Sequence, residues 1–309
     1  MFTSLAGMSR VFSRRRLGRE PSPPAWQPGI RPVKRAAGVM EIIDAHTHFF
    51  PDQVAAGAIS RLEASSGEKA FHDGTLAGLL GSMDKAGIAT SLVLPVATNP
   101  EKVSSLNRFS ASLGQERVVM AGALHPRSLS WREELDEMLE LGFRSLKLHP
   151  DYQEFYPDDP ELLPFFAAVR DAGVTVIFHA GADLSYKPPY GGPPARIARL
   201  MDSLPGLRVY ATHMGGFRMW DEAERCLVGR EDVVLDTSFS FGYMPAERIR
   251  SIIRDHGADR VMFGSDSPWL DQSEQVAKLR RLALESETEE KILGRNARRL
   301  LDGWIVPAE

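Results

Sequence analysis

Two histidines separated by one residue, His46-Thr47-His48, are the side chains of this chain best placed for chemistry. The run before them, Ile42-Ile43-Asp44-Ala45, has the apolar start of a short buried strand. Strand side chains alternate between faces, so residues two apart project the same way. The spacing predicts that His46 and His48 aim at one point, and neutral imidazoles so placed suit zinc, iron, nickel or copper. The plainer reading is a pair of surface histidines in a turn. What favours a metal is that Lys147 and His149, His179, His213 and Asp266 also end or directly follow apolar runs. Five of the eight histidines end strands, where an imidazole has little structural use. Three imidazoles and a carboxylate can surround one divalent ion, leave a place for water, and lower that water's pKa to about 7. A further histidine beside the water can move protons.

The elements that must position these groups follow a repeating order of apolar run, turn and amphipathic helix. Strands are expected over residues 41–46, 91–96, 118–124, 145–149, 175–179, 208–213, 232–236 and 260–264, and helices over 76–86, 131–141, 162–172, 195–204, 220–228, 246–256, 273–283 and 288–301. Gly87, Gly142, Gly173 and Gly257 stand where four of these helices should stop. Eight short, nearly all-apolar strands alternating with helices predict a closed (β/α)8 TIM barrel. An open doubly wound sheet is the runner-up, but His-Thr-His stands where its glycine-rich phosphate fingerprint would be. Two loops, 49–75 after the first strand and 180–194 after the fifth, exceed ordinary connection lengths and leave the strand ends where a barrel builds its site, so they read as lid or substrate-binding segments.

Composition bounds the rest. The chain has 309 residues, 43% hydrophobic and 25% charged, with a net charge of −4. It has no domain-wide basic field for nucleic acid and no apolar run long enough to span a membrane. Cys226 is the only cysteine, so no intrachain disulfide is available, and it reads as a small packed residue. The expected setting is cytoplasmic, the expected partner a small-molecule substrate, and a homodimer is an assembly open to the chain. Residues 1–39 differ in composition from the remainder of the chain: Arg10, Arg14, Arg15, Arg16, Arg19, Arg31, Lys34 and Arg35 face Glu20 alone, among five prolines. That segment reads as a disordered basic extension, either a transit peptide or an over-extended start ahead of Met40, leading into a single barrel domain over 40–309.

In Asp44-Ala-His-Thr-His48, Lys147-Leu-His-Pro150, Phe178-His-Ala-Gly181, Thr212-His-Met-Gly-Gly216, Phe263-Gly-Ser-Asp-Ser-Pro-Trp269 and Ile292-Leu-Gly-Arg-Asn-Ala-Arg-Arg-Leu300, the chain resembles the amidohydrolase superfamily. The nearest branch is the amidohydrolase-related one that includes aminocarboxymuconate-semialdehyde decarboxylase. Carried over by position, the resemblance implies His46, His48, His179 and Asp266 as metal ligands and His213 as the residue that activates the metal-bound water. The cofactor implied is a divalent metal, zinc first, with manganese, iron or cobalt as alternatives. Some superfamily members carry a carbamylated lysine on the fourth strand that bridges two metals, and Lys147 sits there. It could equally hold a substrate carboxylate or pair with Asp236 or Asp266. His149, Arg218 and Trp269 are substrate-contact candidates, with His125 a weaker one. Asp44 is a candidate for orienting a ligand, and His72 and His256 are a loop residue and a helix-end residue.

The first expectation is a metal-dependent hydrolase that attacks an electrophilic carbon of a small organic substrate, with Asp266 and His213 managing protons. The alternative is a non-oxidative decarboxylase or hydratase of an unsaturated or aromatic acid, which needs the same ligands. A non-catalytic binding barrel is the rival outside enzymes. A phosphate-binding isomerase is disfavoured, because Asp236-Thr-Ser-Phe-Ser and Ser265-Asp-Ser-Pro-Trp are not glycine-rich.

Overall fold

The computed structural model describes residues 41–304. The expectation for residues 1–39 lies outside them. The described strands are β1 (Ile42–Thr47), β2 (Ile88–Val93), β3 (Val118–Met120), β4 (Gly122–Ala123), β5 (Ser145–Leu148), β6 (Thr175–Phe178), β7 (Val209–Ala211), β8 (Val233–Asp236) and β9 (Val261–Met262). The helices are α1 (Asp52–Ser66), α2 (Leu76–Ala86), α3 (Val103–Ser112), α4 (Trp131–Glu140), α5 (Leu163–Asp171), α6 (Pro194–Ser203), α7 (Trp220–Cys226), α8 (Ala246–His256), α9 (Gln272–Arg280), α10 (Ser286–Glu290) and α11 (Asn296–Trp304).

Every strand pairing is parallel. β3 and β4 are successive parts of one stave, the first paired with β2 and the second with β5, while Ala121 N between them still donates to Val93 O. The ring closes where Ala45 N donates to Phe263 O (2.8 Å), Asp266 N to His46 O (2.8 Å) and His48 N to Ser267 O (2.6 Å). The result is an eight-stave (β/α)8 barrel, as expected. Gln153 adds a side-chain tie at the mouth, accepting from His149 N and donating to Ala97 O and Leu124 O. One amide thereby satisfies a donor and two acceptors that end different staves.

The core has two layers. Ile43, Ala45, Leu92, Leu94, Ile177, Tyr210 and Met262 fill the barrel interior. Ile42, Val93, Leu146, Val176, Phe178 and Leu235 belong to the larger layer between staves and helices. Each fully buried side chain of this kind contributes about 1.5–3 kcal/mol. Ala297 and Leu301 of α11 join the interior layer, and Asn296 donates to Ala258 O and Val261 O at the start of β9. The last helix therefore plugs the end of the barrel opposite the carboxyl ends of the strands.

Helices α2 and α8 coincide with the periodicity, and Gly87 and Gly257 cap them at φ 68° and 96°, values that disfavour a side chain. The segment expected as a loop over 49–75 instead contains α1. Its sequence is dominated by alanine, glycine and serine, and only Ala55 and Ala58 are buried, so it has no apolar stripe for a periodic reading to find. The 180–194 segment carries no helix before Pro194, in keeping with a binding loop.

Candidate metal centre

The bend that aims His46 is in β1 itself. Ile43 and Ala45 face the interior and Ile42 the outer layer, so plain alternation would turn His46 outward with Ile42. The pairing of β1 with β2 shifts between Asp44 and Thr47, and beyond that irregularity His46 Nδ1 lies 2.9 Å from Asp236 Oδ2 at the end of β8. His48 Nδ1 lies 2.9 Å from Leu94 O. A carbonyl can only accept, so His48 carries its proton on Nδ1 and presents a bare Nε2. His46 likewise turns Nδ1 to an acceptor, the Asp236 carboxylate, which leaves Nε2 toward Asp266: burial alone would raise the pKa of Asp236, yet His46, His213 and Ser238 hold it well below the usual carboxylate range.

The two bare nitrogens converge on one oxygen. His48 Nε2 is 3.0 Å and His46 Nε2 3.5 Å from Asp266 Oδ1. Burial pushes Asp266 up, but His46, His48 and His213 drive it strongly down, and burial also lowers His48. Neutral imidazoles and an ionised carboxylate are the protonation states that divalent cations require, so the donor set fits such an ion.

The remaining strand-end groups pack around this triad. His213 stands with its ring centroid 5.0 Å from that of His46, and its Nδ1 is 2.8 Å from Ser238 Oγ and 3.9 Å from Asp266 Oδ2. Burial lowers its pKa to about 4, with Asp266 opposing. His213 Nε2 meets His179 Nδ1 at 3.1 Å. His179 Nε2 faces Ala182 O at 3.1 Å, so Nδ1, the atom against His213 Nε2, is its unprotonated nitrogen, and burial among His149, His213 and Lys147 keeps the ring neutral. His179 thus sits beside the triad through His213 and groups more tightly with His149, whose ring stacks on it at 4.1 Å, and with Asp183. Those two rings are inclined by only 13°, so their in-plane lone pairs run nearly parallel and do not converge on a shared ion.

Lys147 is 1% exposed on the interior side of β5, in register with Ile177 and Tyr210. Neither Asp236 nor Asp266 comes within ion-pair distance of its Nζ, which removes the pairing weighed for it. Of the other substrate-contact candidates, Trp269 is bound to the site turn through its backbone N to Asp266 O and is half-buried. Arg218 is exposed, with its guanidinium over the Phe217 ring, which in turn lies 6.2 Å from the ring of His213. His125 caps its own turn by accepting from Arg127 N.

The groups that sequence reasoning undervalued are the ones that hold the ligands. Asp236 Oδ2 accepts from His46 and from Tyr210 OH (2.6 Å), and Oδ1 accepts from His213 N (2.9 Å), Ser238 N (2.9 Å) and Ser238 Oγ. Its only signal was a carboxylate at the end of an apolar strand. Asp44 accepts from His46 N, Ser265 N, Ser265 Oγ and Gln272 Nε2, tying β1 to the turn that carries Asp266. His72 also reaches that turn, 2.9 Å from Ser267 Oγ, and Phe71 N donates to Pro268 O. His213 and Asp266 both adopt left-handed backbone, φ 59° and 64°, a strain that a non-glycine residue keeps only where its surroundings impose it.

A family model described as Amidohydrolase matches residues 43–303. The chain belongs to the amidohydrolase family. Solved structures agree on the barrel. An uncharacterized TIM-barrel protein from Bordetella bronchiseptica superposes with a TM-score of 0.68 at 21% identity, covering 85% of this chain and 99% of that one. For 5-carboxyvanillate decarboxylase from Sphingomonas paucimobilis the values are 0.64, 18%, 85% and 99%. For dihydroxybenzoic acid decarboxylase from a Polaromonas species, solved with bound manganese and an inhibitor, they are 0.62, 17%, 87% and 98%. No curated protein matches the chain. The family and the donor set together make it a metal-binding enzyme that acts on a small organic molecule. Among the described residues, no helix is long and apolar enough to cross a membrane.

Proposed function

We propose that this enzyme is a non-oxidative decarboxylase of an aromatic or unsaturated carboxylic acid, using zinc or manganese. The observation that carries the reading is the convergence of His46 Nε2 and His48 Nε2 on Asp266 Oδ1 in a barrel whose similar solved structures include several decarboxylases. Those names favour carbon–carbon cleavage over the hydrolysis expected first, and the manganese of the Polaromonas protein supports that metal beside zinc. His46, His48 and Asp266 would hold the ion, with His179 Nδ1 as the fourth donor. When bound, the ion supplies Lewis acidity toward a substrate oxygen.

The chain's own residues then have to manage one proton. Loss of carbon dioxide leaves an electron pair on the carbon, and that carbon must be protonated. Asp266, ionised at rest, can carry a proton to it only after receiving one. His213 Nδ1, 3.9 Å from Asp266 Oδ2, is within reach of one bridging water and can be recharged from solvent. Burial keeps His213 neutral between turnovers, so it must first take a proton from solvent and then pass that proton to Asp266. His149, stacked between His179 and Tyr152 (4.0 Å), is proposed as a wall of the substrate site, and Trp269 as another.

The test is to incubate metal-loaded enzyme with a panel of hydroxylated benzoic acids in deuterium oxide. Carbon dioxide release with one deuterium at the vacated carbon is the expected result. Activity on lactones or amides without carbon dioxide release would return the assignment to hydrolysis.

A further inference from the structure

Lys147 poses a question of charge. An ammonium in the barrel interior needs a counter-charge, because an unpaired buried ion is costly by several kcal/mol. Its two nearest acidic neighbours are already committed. Asp236 is saturated by His46, Tyr210, Ser238 and the backbone of His213. Asp266 faces His46, His48 and His213. Among the described residues, Lys147 makes no hydrogen bond and has no carboxylate within 4.0 Å of Nζ. Its side chain is among the largest fully buried ones of the described residues, 1% exposed. Burial brings its pKa down to about 8, with Asp266 and Asp236 opposing. The side chain points the same way as Ile177 and Tyr210, and Asp266, His48, His179 and His213 are its electrostatic neighbours.

We infer that the missing counter-ion is the substrate: Lys147 Nζ is the docking point for an oxyanion of a planar organic acid, and it makes the site select anions over neutral molecules of the same shape. This rests on the reading of the substrate as a carboxylic acid. The oxyanion is either the carboxylate or an ionised ring oxygen. A cation fixed on the departing carboxylate would hold electrons that must flow to carbon, whereas one on a ring oxygen would not oppose the reaction.

The experiment uses the metal-loaded full chain and Lys147→Met, which removes the charge and keeps an unbranched side chain of similar reach. Binding of benzoate, 4-nitrophenolate and benzamide is measured by calorimetry and, for the phenolate, by its visible absorption. Benzoate or 4-nitrophenolate should lose about 10- to 100-fold in affinity in the variant, the scale of a charge-assisted hydrogen bond, while benzamide is unchanged. The anion that loses affinity identifies which oxygen Lys147 holds. The variant should also melt higher than the parent, since it no longer buries an unpaired cation, whereas a structural lysine would give a lower melting point. Unchanged affinity for both anions would overturn the inference. So would two metal equivalents together with a carbon-13 carbamate resonance after labelled bicarbonate, which would make the lysine a metal bridge. If no acid releases carbon dioxide while the binding arms behave as stated, the decarboxylase reading fails and the docking role stands.

Discussion

Replacing Asp236 by asparagine should disarm the site through a tautomer. The carboxylate accepts on Oδ1 from the backbone N–H groups of His213 and Ser238, which cannot turn away, and on Oδ2 from His46 Nδ1 and Tyr210 OH. Asparagine has one acceptor oxygen, so it must keep that oxygen toward the two backbone donors and present its amide N–H to His46. Tyr210 can rotate its hydroxyl to Ala45 O, 3.1 Å away. His46 Nδ1, whose other neighbour is Ser238 Oγ at 3.1 Å, then faces an amide donor, and the expected response is to move its proton to Nε2, the nitrogen that faces Asp266 Oδ1 at 3.5 Å. A protonated Nε2 cannot ligate. Loss of such a supporting carboxylate typically costs 10- to 100-fold in metal affinity, or about 1.4–2.7 kcal/mol. The assay is competition for zinc and manganese against a chromophoric chelator, run on Asp236→Asn with Tyr210→Phe as the control. Tyr210→Phe removes one donor to the same oxygen but leaves the imidazole tautomer alone, so its metal affinity should fall less than about threefold while stability drops by about 1 kcal/mol. Equal metal affinity in Asp236→Asn and the parent would refute the tautomer argument, and equal losses in both variants would show that only the packing of β8 matters.

The same geometry sets further expectations. His213→Asn should retain its metal and lose turnover by roughly a hundredfold to ten-thousandfold, with one limb missing from the pH profile of kcat/KM, whereas His179→Asn should purify metal-poor; metal analysis and steady-state kinetics decide whether these two roles are exchanged. A side chain added at Gly264 would lie 2.9 Å from His46 Cβ and 3.1 Å from Asp236 Cγ, so Gly264→Ala should weaken metal binding by about tenfold through the His46–Asp236 contact, measured by the same competition. His256 accepts from Gly229 N and donates to Val233 O, and burial, then Arg260, lowers its pKa to about 4. Because the unfolded chain protonates this residue first, its contribution is full above pH 6.5 and fades as pH falls toward 4, with about 2 kcal/mol gone by pH 5. Urea unfolding at pH 7 and pH 5 should show that loss in the parent and a smaller one in His256→Gln.

Much of this architecture is legible in the chain because it rests on local chemistry. Apolar runs such as Val176-Ile177-Phe178 are strands whatever surrounds them, and glycines such as Gly87 and Gly257 stop helices because few other residues tolerate their backbone angles. The histidines and Asp266 could be picked out because polar groups at the ends of buried strands have few structural reasons to be there, and parallel strands bring their carboxyl ends to one mouth. Helix α1 escaped because a helix that buries only two alanines leaves no periodic trace. The supports of the site escaped for a different reason. That Asp236 sets the tautomer of His46 across 190 positions of chain, and that Asp44 ties β1 to Ser265 and Gln272, are consequences of barrel closure. The convergence of His46 with His48 could be read from their spacing, but the register shift between Asp44 and Thr47 beneath it belongs to the pairing with β2. Whether Lys147 is paired was likewise a matter of distance: Asp236 and Asp266 were available in the sequence, but the fold gives both to the histidines and other donors that closure brings to them and leaves Lys147 without an ion pair among the described residues.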